Sequence, residues 1–316
     1  MKLLLSVSLV LATLAYTHAS VYDNFNNCLK YFYKNQIPSG FQGIALPDLF
    51  DRNNFPDGMN QNDLGSPAYI CQTYENTVRF ATLYDRGRLM PLYSAYIIDV
   101  KPKDVPSECY RPKNFQYEPQ LVYRGVDGNM MRDAVTELKN YNTQRGIDQK
   151  KEKNRPPYLL KTSQSGDNDY TDKDYDRGHL NPCGHHSAGQ DRYKATFTFT
   201  NVVPMIKELN NNIWSQYEVE MTEMSVNCKD MYVIVGIVPG NIRVQGSRLI
   251  APGYVWNAYC CVDNNDKPIT SGAALAENIK RSQLQKFPNI DDFQAKLKNL
   301  LGVSQDIELF QNNCKP

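Results

Sequence analysis

The segment Thr196-Phe197-Thr198-Phe199-Thr200-Asn201-Val202-Val203-Pro204 leads through a short link into Leu209-Asn210-Asn211-Asn212-Ile213-Trp214-Ser215-Gln216-Tyr217-Glu218. From Thr196 to Val203 polar and apolar residues alternate with the period of a strand, and from Asn210 to about Val226 apolar residues recur at helical spacing. On such a helix positions 210, 214 and 218 form one stripe, each about 40° round from the last. Ile213, Tyr217, Met221 and Met224 line an adjoining apolar face. Asn210 and Glu218 then stand roughly 12 Å apart along the axis, too far to share the inner shell of one small cation. A metal held here takes one of them as a direct ligand and leaves the other to hold its waters.

Just upstream lie His179, His185 and His186, every histidine of the chain except His18. Histidine alone has an unperturbed pKa near neutrality, so acid–base chemistry at pH 7 is concentrated on one segment, Asp176-Arg177-Gly178-His179. Each of these residues has a plainer reading. His179 fits a structural histidine in a glycine turn, Asn210 a helix N-cap, Glu218 a solvated helix face, and Arg111, followed by Pro112, a surface charge. Zinc held by His179, Cys183, His185 and His186 is disfavoured, because their spacing matches no standard structural site.

Further out, Val78 to Tyr84 and Leu92 to Val100 read as strands joined by the turn Asp85-Arg86-Gly87-Arg88, and Met231 to Val238 as a buried strand. Helical patterns cover Met131 to Tyr141, Ala273 to Gln285 and Ile290 to Leu301. Strands come without regular βαβ alternation, which predicts an α+β fold with a central, mainly antiparallel sheet flanked by helices. Residues 20–316 are expected to form a single domain, opening with an irregular wrap over about 20–67 that holds one short helix around Phe25 to Phe32. Seven basic side chains against two acids mark 139–161, either a solvated surface or the edge of a substrate groove. Five aspartates between Asp167 and Asp176 follow, lacking the glycine and glutamate a calcium loop needs at its sixth and twelfth positions.

Across all 316 residues 35 Lys and Arg face 34 Asp and Glu, so no whole-molecule field holds a polyanion or an anionic membrane. Lys2, the apolar run Leu3 to Ala15 and the small residues Thr17 and Ala19 read as a secretory signal over 1–19, with the mature chain starting at Ser20. No later apolar run approaches the roughly 18 to 20 residues of a spanning helix, which predicts a soluble exported protein. Eight cysteines in an exported chain favour disulfides, although they permit 105 pairings and the sequence chooses none. No Asn-x-Ser/Thr acceptor occurs.

The spacing Asp-Arg-Gly-His, then Thr-Asn-x-x-Pro, then Leu-Asn-x-x-x-Trp-x-x-x-Glu resembles that of the DNA/RNA non-specific endonucleases, which carry a ββα-metal finger. Phe25 to Cys28, Ile70 to Gln72, Arg79 to Asp85, Tyr93 to Tyr96 and Phe310 to Cys314 extend the likeness, which is nearest to the secreted endonuclease domain-containing 1 type. The resemblance implies His179 as general base, Asn210 as direct ligand of one Mg²⁺ (or Mn²⁺), and Glu218 as the carboxylate holding the metal's waters. It implies phosphate contacts from Arg177 and Arg111, and support from Asn201 and Asp176. The implied substrates are DNA and RNA, cut to leave 5′-phosphate and 3′-hydroxyl ends. A lone neutral amide ligand implies a weak site completed by the substrate's phosphate. Met205 and Asn211 stand where the family commonly has glutamine. Those two changes keep open a catalytically weak or inactive nucleic-acid-binding protein on the same scaffold.

Overall fold

The computed structural model describes residues 20–41, 43–47, 56–60, 65–100 and 110–315. The signal expected at 1–19 and Cys109 lie outside them. In chain order the strands are β1 (Val21–Tyr22), β2 (Ala68–Tyr74), β3 (Thr77–Asp85), β4 (Met90–Ile97), β5 (Tyr175–His179), β6 (Val202–Ile206), β7 (Asp230–Val238), β8 (Ile242–Arg243), β9 (Ile250–Ala251), β10 (Tyr254–Val262), β11 (Pro268–Glu277) and β12 (Leu284–Phe287). The helices are α1 (Ala134–Gln144), α2 (Pro156–Ser163), α3 (Gln190–Ala195), α4 (Ser215–Ser225) and α5 (Ile290–Leu301).

Eight strands form one antiparallel sheet in the order β1-β2-β3-β4-β7-β10-β11-β12. The expected α+β class is therefore the observed one. Successive side chains of a strand point to opposite faces, and here both faces are buried. Along β7, Ile234 and Val238 join one core with Trp256, Phe293, Phe25 and Phe32, while Val233, Val235 and Ile237 join a second core with Val203, Met205, Trp214 and Tyr217. Gly236 lies between them because a Cβ there would fall 2.3 Å from the Trp256 ring. The first core is covered by α5 and by both chain ends; the second carries β5, β6 and α4.

The same alternation places the disulfides. Adjacent Cys260 and Cys261 on β10 face opposite ways, so Cys260 joins Cys314 in the first core and Cys261 joins Cys228, beyond the end of α4, in the second. A third bridge, Cys28 to Cys71, ties the N-terminal wrap to β2. Among the described residues Cys183 is the thiol left unbridged.

Three expectations about local structure are corrected. Ala273 to Gln285 is no helix: Ala273 and Leu275 enter one core, Ala274 and Ala276 the other, and the segment pairs with β10 and β12. Helix propensity of alanine yields to a slot that needs small side chains on both faces. Thr196 to Val203 is not one strand, since a 3₁₀ turn (Phe199–Asn201) precedes β6. The helix expected around Phe25 to Phe32 is instead two short 3₁₀ turns, Leu29–Tyr31 and Tyr33–Asn35. Ile290 to Leu301 is helical as expected, capped by Asn289 and stopped by Gly302 in the left-handed region at φ 65°.

Candidate active site

Strands β5 and β6 pair in register from Tyr175 opposite Ile206 to His179 opposite Val202. The chain then passes through one π-helical turn, Leu209–Trp214, into α4. Two antiparallel strands and a helix thus carry Asp176, Arg177 and His179 on one side and Asn210 and Glu218 on the other. Gly178 is required here because a Cβ would fall 2.5 Å from that of Met205 on the facing strand.

Arg111, Asp176, Arg177, His179, Asn210 and Glu218 all line a single cleft of about 430 Å³, together with Phe115, Cys183, Asn211 and Ser215. Asn201 does not. It is fully buried beneath the cleft, where its Nδ2 donates to the carbonyls of Asn181 and Thr196 (2.9 Å each) and its Oδ1 accepts from the Asn181 N–H and the Ser94 hydroxyl (3.0 Å each). Because its own carbonyl accepts from Leu180 N–H at 2.9 Å, Asn201 fixes the two residues that follow His179.

The π turn changes how the helix faces the cleft. One extra residue in that turn brings Asn210, Asn211, Ser215 and Glu218 to the cleft and turns Trp214 into the core, 2% exposed, where an unbroken α-helix would frame it between 210 and 218. Asn210 is therefore not an N-cap, for helical geometry already begins at Glu208. Its Nδ2 leans on Asn211 Oδ1 at 3.3 Å, and Asn211 Nδ2 donates to Asp176 Oδ2 at 2.8 Å.

His179 packs between Phe115 and Phe197, with centroids at 5.5 and 5.1 Å, and its Nε2 is buried with no hydrogen-bond partner. Burial, reinforced by the Arg111 and Arg177 charges, pushes its pKa down to about 3. The imidazole is neutral at pH 7, and its Nε2 keeps an unengaged lone pair or proton. Glu218 is displaced the other way, to about 8, because burial opposes its charge more than the Trp214 indole supports it.

Arg177 sits against the rings of Phe115, Tyr170 and Phe199 at 5.1 to 5.7 Å, donates to Asp167 Oδ1 at 2.9 Å, and keeps a buried Nε without a partner. Arg111 lies over Phe197 at 5.4 Å. This aromatic wall and the Asp167 clamp were not anticipated from sequence. The alternating Phe197 and Phe199 were visible as a pattern, but Phe115, Tyr170 and Asp167 reach the site only through the tertiary fold.

The remaining histidines are committed elsewhere. His185 is bonded on both ring nitrogens, to the Tyr96 hydroxyl (3.0 Å) and the Glu218 carbonyl (2.9 Å), and His186 Nε2 meets Asn181 Oδ1 at 2.7 Å. Among the described residues no three His, Cys, Asp or Glu side chains are placed to share a metal ion. No residue of 139–161 lines the cleft, and Lys151 and Lys153 pair with Asp57. The acidic stretch is similarly dispersed: Asp167 pairs with Arg132 and Arg177, Asp169 with Arg248, and Asp174 with Lys280.

The profile of the DNA/RNA non-specific endonuclease family matches residues 60–314. The endonuclease domain-containing 1 proteins of Homo sapiens and Mus musculus are 27% and 28% identical to the chain over 295 residues, 92% of this chain and 48% of theirs. The chain thus spans about half the length of these curated relatives. A chain in the crystal structure of the EndoG/EndoGI complex aligns with a TM-score of 0.46 and 15% identity over 72% of this chain and 83% of that one.

Proposed function

The chain belongs to the DNA/RNA non-specific endonuclease family, and on that premise we propose that it is an exported, divalent-metal-dependent endonuclease hydrolysing phosphodiester bonds of DNA and RNA with little sequence preference. The observation that carries the reading is the meeting of His179, Arg177, Arg111, Asn210 and Glu218 on one cleft. Phosphate contacts from arginines bring little base preference, in keeping with a substrate read by its backbone.

A magnesium-sized cation fits the donors present. Asn210 offers an amide oxygen that accepts no hydrogen bond from the described residues, and Glu218 is a half-buried carboxyl on the same cleft with which no Lys or Arg among the described residues forms an ion pair. One neutral direct ligand and one carboxylate acting through water suit an ion that keeps most of its waters. Bound there, the cation supplies positive charge to the phosphoryl oxygens and an acidified water for the leaving oxygen. His179, neutral and with Nε2 unengaged, takes the proton of the attacking water. Arg177 and Arg111 answer the charge that develops on the phosphoryl group, and the aromatic wall keeps both guanidinium planes oriented without consuming their donors. Asn201 and Asp176 hold the strand and the helix turn that present these groups.

Three disulfides support passage through an oxidising compartment, and with the signal pattern at 1–19 they support a mature chain that begins at Ser20. Among the described residues no helix is long and apolar enough to cross a membrane. Incubating the mature protein with plasmid and with RNA, in Mg²⁺ and in EDTA, beside His179→Ala, tests the activity. Cutting by the unaltered chain in Mg²⁺ alone is the expected result. Retention of nucleic acid without cutting supports instead the binding protein to which Met205 and Asn211 point.

A further inference from the structure

Glu118 is the buried acid that the chemistry of the cleft does not use. It is fully buried, neither carboxylate oxygen has a close, well-aligned hydrogen bond, and among the described residues no Lys or Arg pairs with it. Its backbone is clamped by Gln164, which accepts from Glu118 N–H and donates to Glu118 C=O at 2.9 Å each, so it cannot swing out to water. The hydroxyls around it belong to Ser20, Thr198 and Thr200. Burial pushes its pKa up to about 8, so alone it stays protonated at neutral pH, and ionising it there takes a cation close by.

The structure supplies the place for one. Ser20 is itself fully buried; its backbone nitrogen donates to Gln120 Oε1 at 2.6 Å, and its carbonyl accepts from Cys71 N–H at 2.7 Å. The Gln120 amide is oriented for this by its Nε2, which donates to Val126 C=O at 2.9 Å. We propose that Ser20, freed by removal of residues 1–19, carries an α-ammonium group that pairs with Glu118 inside the protein, so that processing completes the core beneath the catalytic strand. This rests on the cleavage before Ser20 proposed above. An amide nitrogen at residue 20 has one proton, which Gln120 uses; an ammonium has three, which leaves charge and protons for the carboxyl that the Ser20 hydroxyl already neighbours.

The pair would reach the cleft through continuous contacts. Thr198 and Thr200 hydroxyls lie 3.1 Å apart, Thr200 accepts from Gln72 Nε2 at 2.8 Å, and the next residue, Asn201, holds Leu180 and Asn181. An unprocessed chain lacks the cation at the base of this network.

Sequencing the N-terminus of the secreted protein tests the cleavage separately from the pairing: a start other than Ser20 removes the premise and overturns the proposal. With the full mature, disulfide-bonded chain starting at Ser20, acylation of the α-amine near neutral pH is compared between native and denatured protein. Native protein is expected to react at least about tenfold more slowly; equal rates overturn the pair while leaving the cleavage site standing. Adding one glycine before Ser20 is expected to lower the melting temperature by several degrees, and to change it far less in a Glu118→Gln background. Equal shifts in both backgrounds overturn the coupling. None of these readouts depends on nuclease activity, so the proposal and the proposed activity fail independently.

Discussion

The chain contains the tripeptide Asp-Arg-Gly twice, at 85–87 and at 176–178, and the two copies do different work. In the first, the turn between β3 and β4, Asp85 and Arg86 are fully buried and the next residue, Arg88, folds its guanidinium back onto the Asp85 carboxylate, which also accepts from Leu46 and Arg88 N–H. In the second, on β5, Asp176 and Arg177 are half-buried and the next residue is His179, left without a partner on Nε2. Both glycines are dictated by crowding, Gly87 against the Pro47 carbonyl at 2.4 Å and Gly178 against the Met205 side chain. A closed set of contacts makes a turn, whereas an open one makes a site. The motif alone therefore carries little, and what separates the copies is that the second is followed by an imidazole whose Nε2 the fold leaves unspent.

The largest effect expected from this contrast is on activity. His179→Ala should lower the cleavage rate by about 10² to 10⁴-fold, the usual contribution of a general base, with little change in melting temperature. Adding Arg88→His to that variant, which completes the four-residue motif in the first copy, should restore nothing in a plasmid-nicking assay. Recovery there would mean that the motif suffices without its cleft.

The glycines come next. Gly178→Ala sets a Cβ 2.5 Å from the Met205 Cβ and 2.7 Å from its Cε, so it should destabilise by about 1 to 3 kcal/mol, and Met205→Ala, which removes Cε but keeps Cβ, should relieve only the Cε part. Gly87→Ala meets a backbone carbonyl instead, and trimming Leu46, the other neighbour at 2.5 Å, should give no comparable relief. Denaturant midpoints of the four chains measure this directly.

Electrostatics offers a smaller but cleaner distinction. Arg88 is neutralised by Asp85, while Arg111, with no ion pair among the described residues, acts on His179 as a positive charge behind burial, the larger cause. In the proposed mechanism a neutral imidazole is the base, so activity should be present above its pKa and lost as pH falls through it. With that pKa near 3, metal-free protein followed by imidazole NMR should show no His179 titration around pH 6.5. Arg111→Gln removes a charge that opposes protonation and should move the midpoint upward, by less than the removal of burial would.

How much of this was legible in the sequence follows the range of the interactions. His179, Asn210 and Glu218, which meet on one cleft, were singled out because the proposed chemistry needs particular side chains and the motif spacing brought them forward. The antiparallel sheet was visible in segments such as Met231 to Val238, where β-branched residues run together. Ala273 to Gln285 was misread as a helix because local propensity cannot report the slot buried on both faces that Ala273 to Ala276 fill. The π turn at Leu209–Trp214 was hidden because an extra residue per turn leaves the apolar spacing of Ile213 and Tyr217 intact. The wall of Phe115, Tyr170 and Phe199 around Arg177 brings together residues up to 84 positions apart (115 to 199), and no local pattern encodes that.

The least effect is expected at Asn211, and it bears on how the open copy is kept open. Asp85 in the closed copy accepts from two backbone N–H groups and one guanidinium, whereas the Asp176 carboxylate receives one amide, from Asn211, and a lysine, Lys207, at 3.8 Å. Asn211 is exposed, so its hydrogen bond contributes only about 0.5 to 1.5 kcal/mol, and Asn211→Ala should leave the melting temperature nearly unchanged. What it releases is the tie between β5 and the turn that carries Asn210. The Mg²⁺ concentration giving half-maximal cleavage should therefore rise a few-fold while the rate at saturating metal holds. Asn211→Asp, which sets a second carboxylate against Asp176, should raise it further. A change in the saturated rate instead would mean that the amide acts on the phosphate or on His179, and that the two Asp-Arg-Gly copies differ in more than their unspent groups.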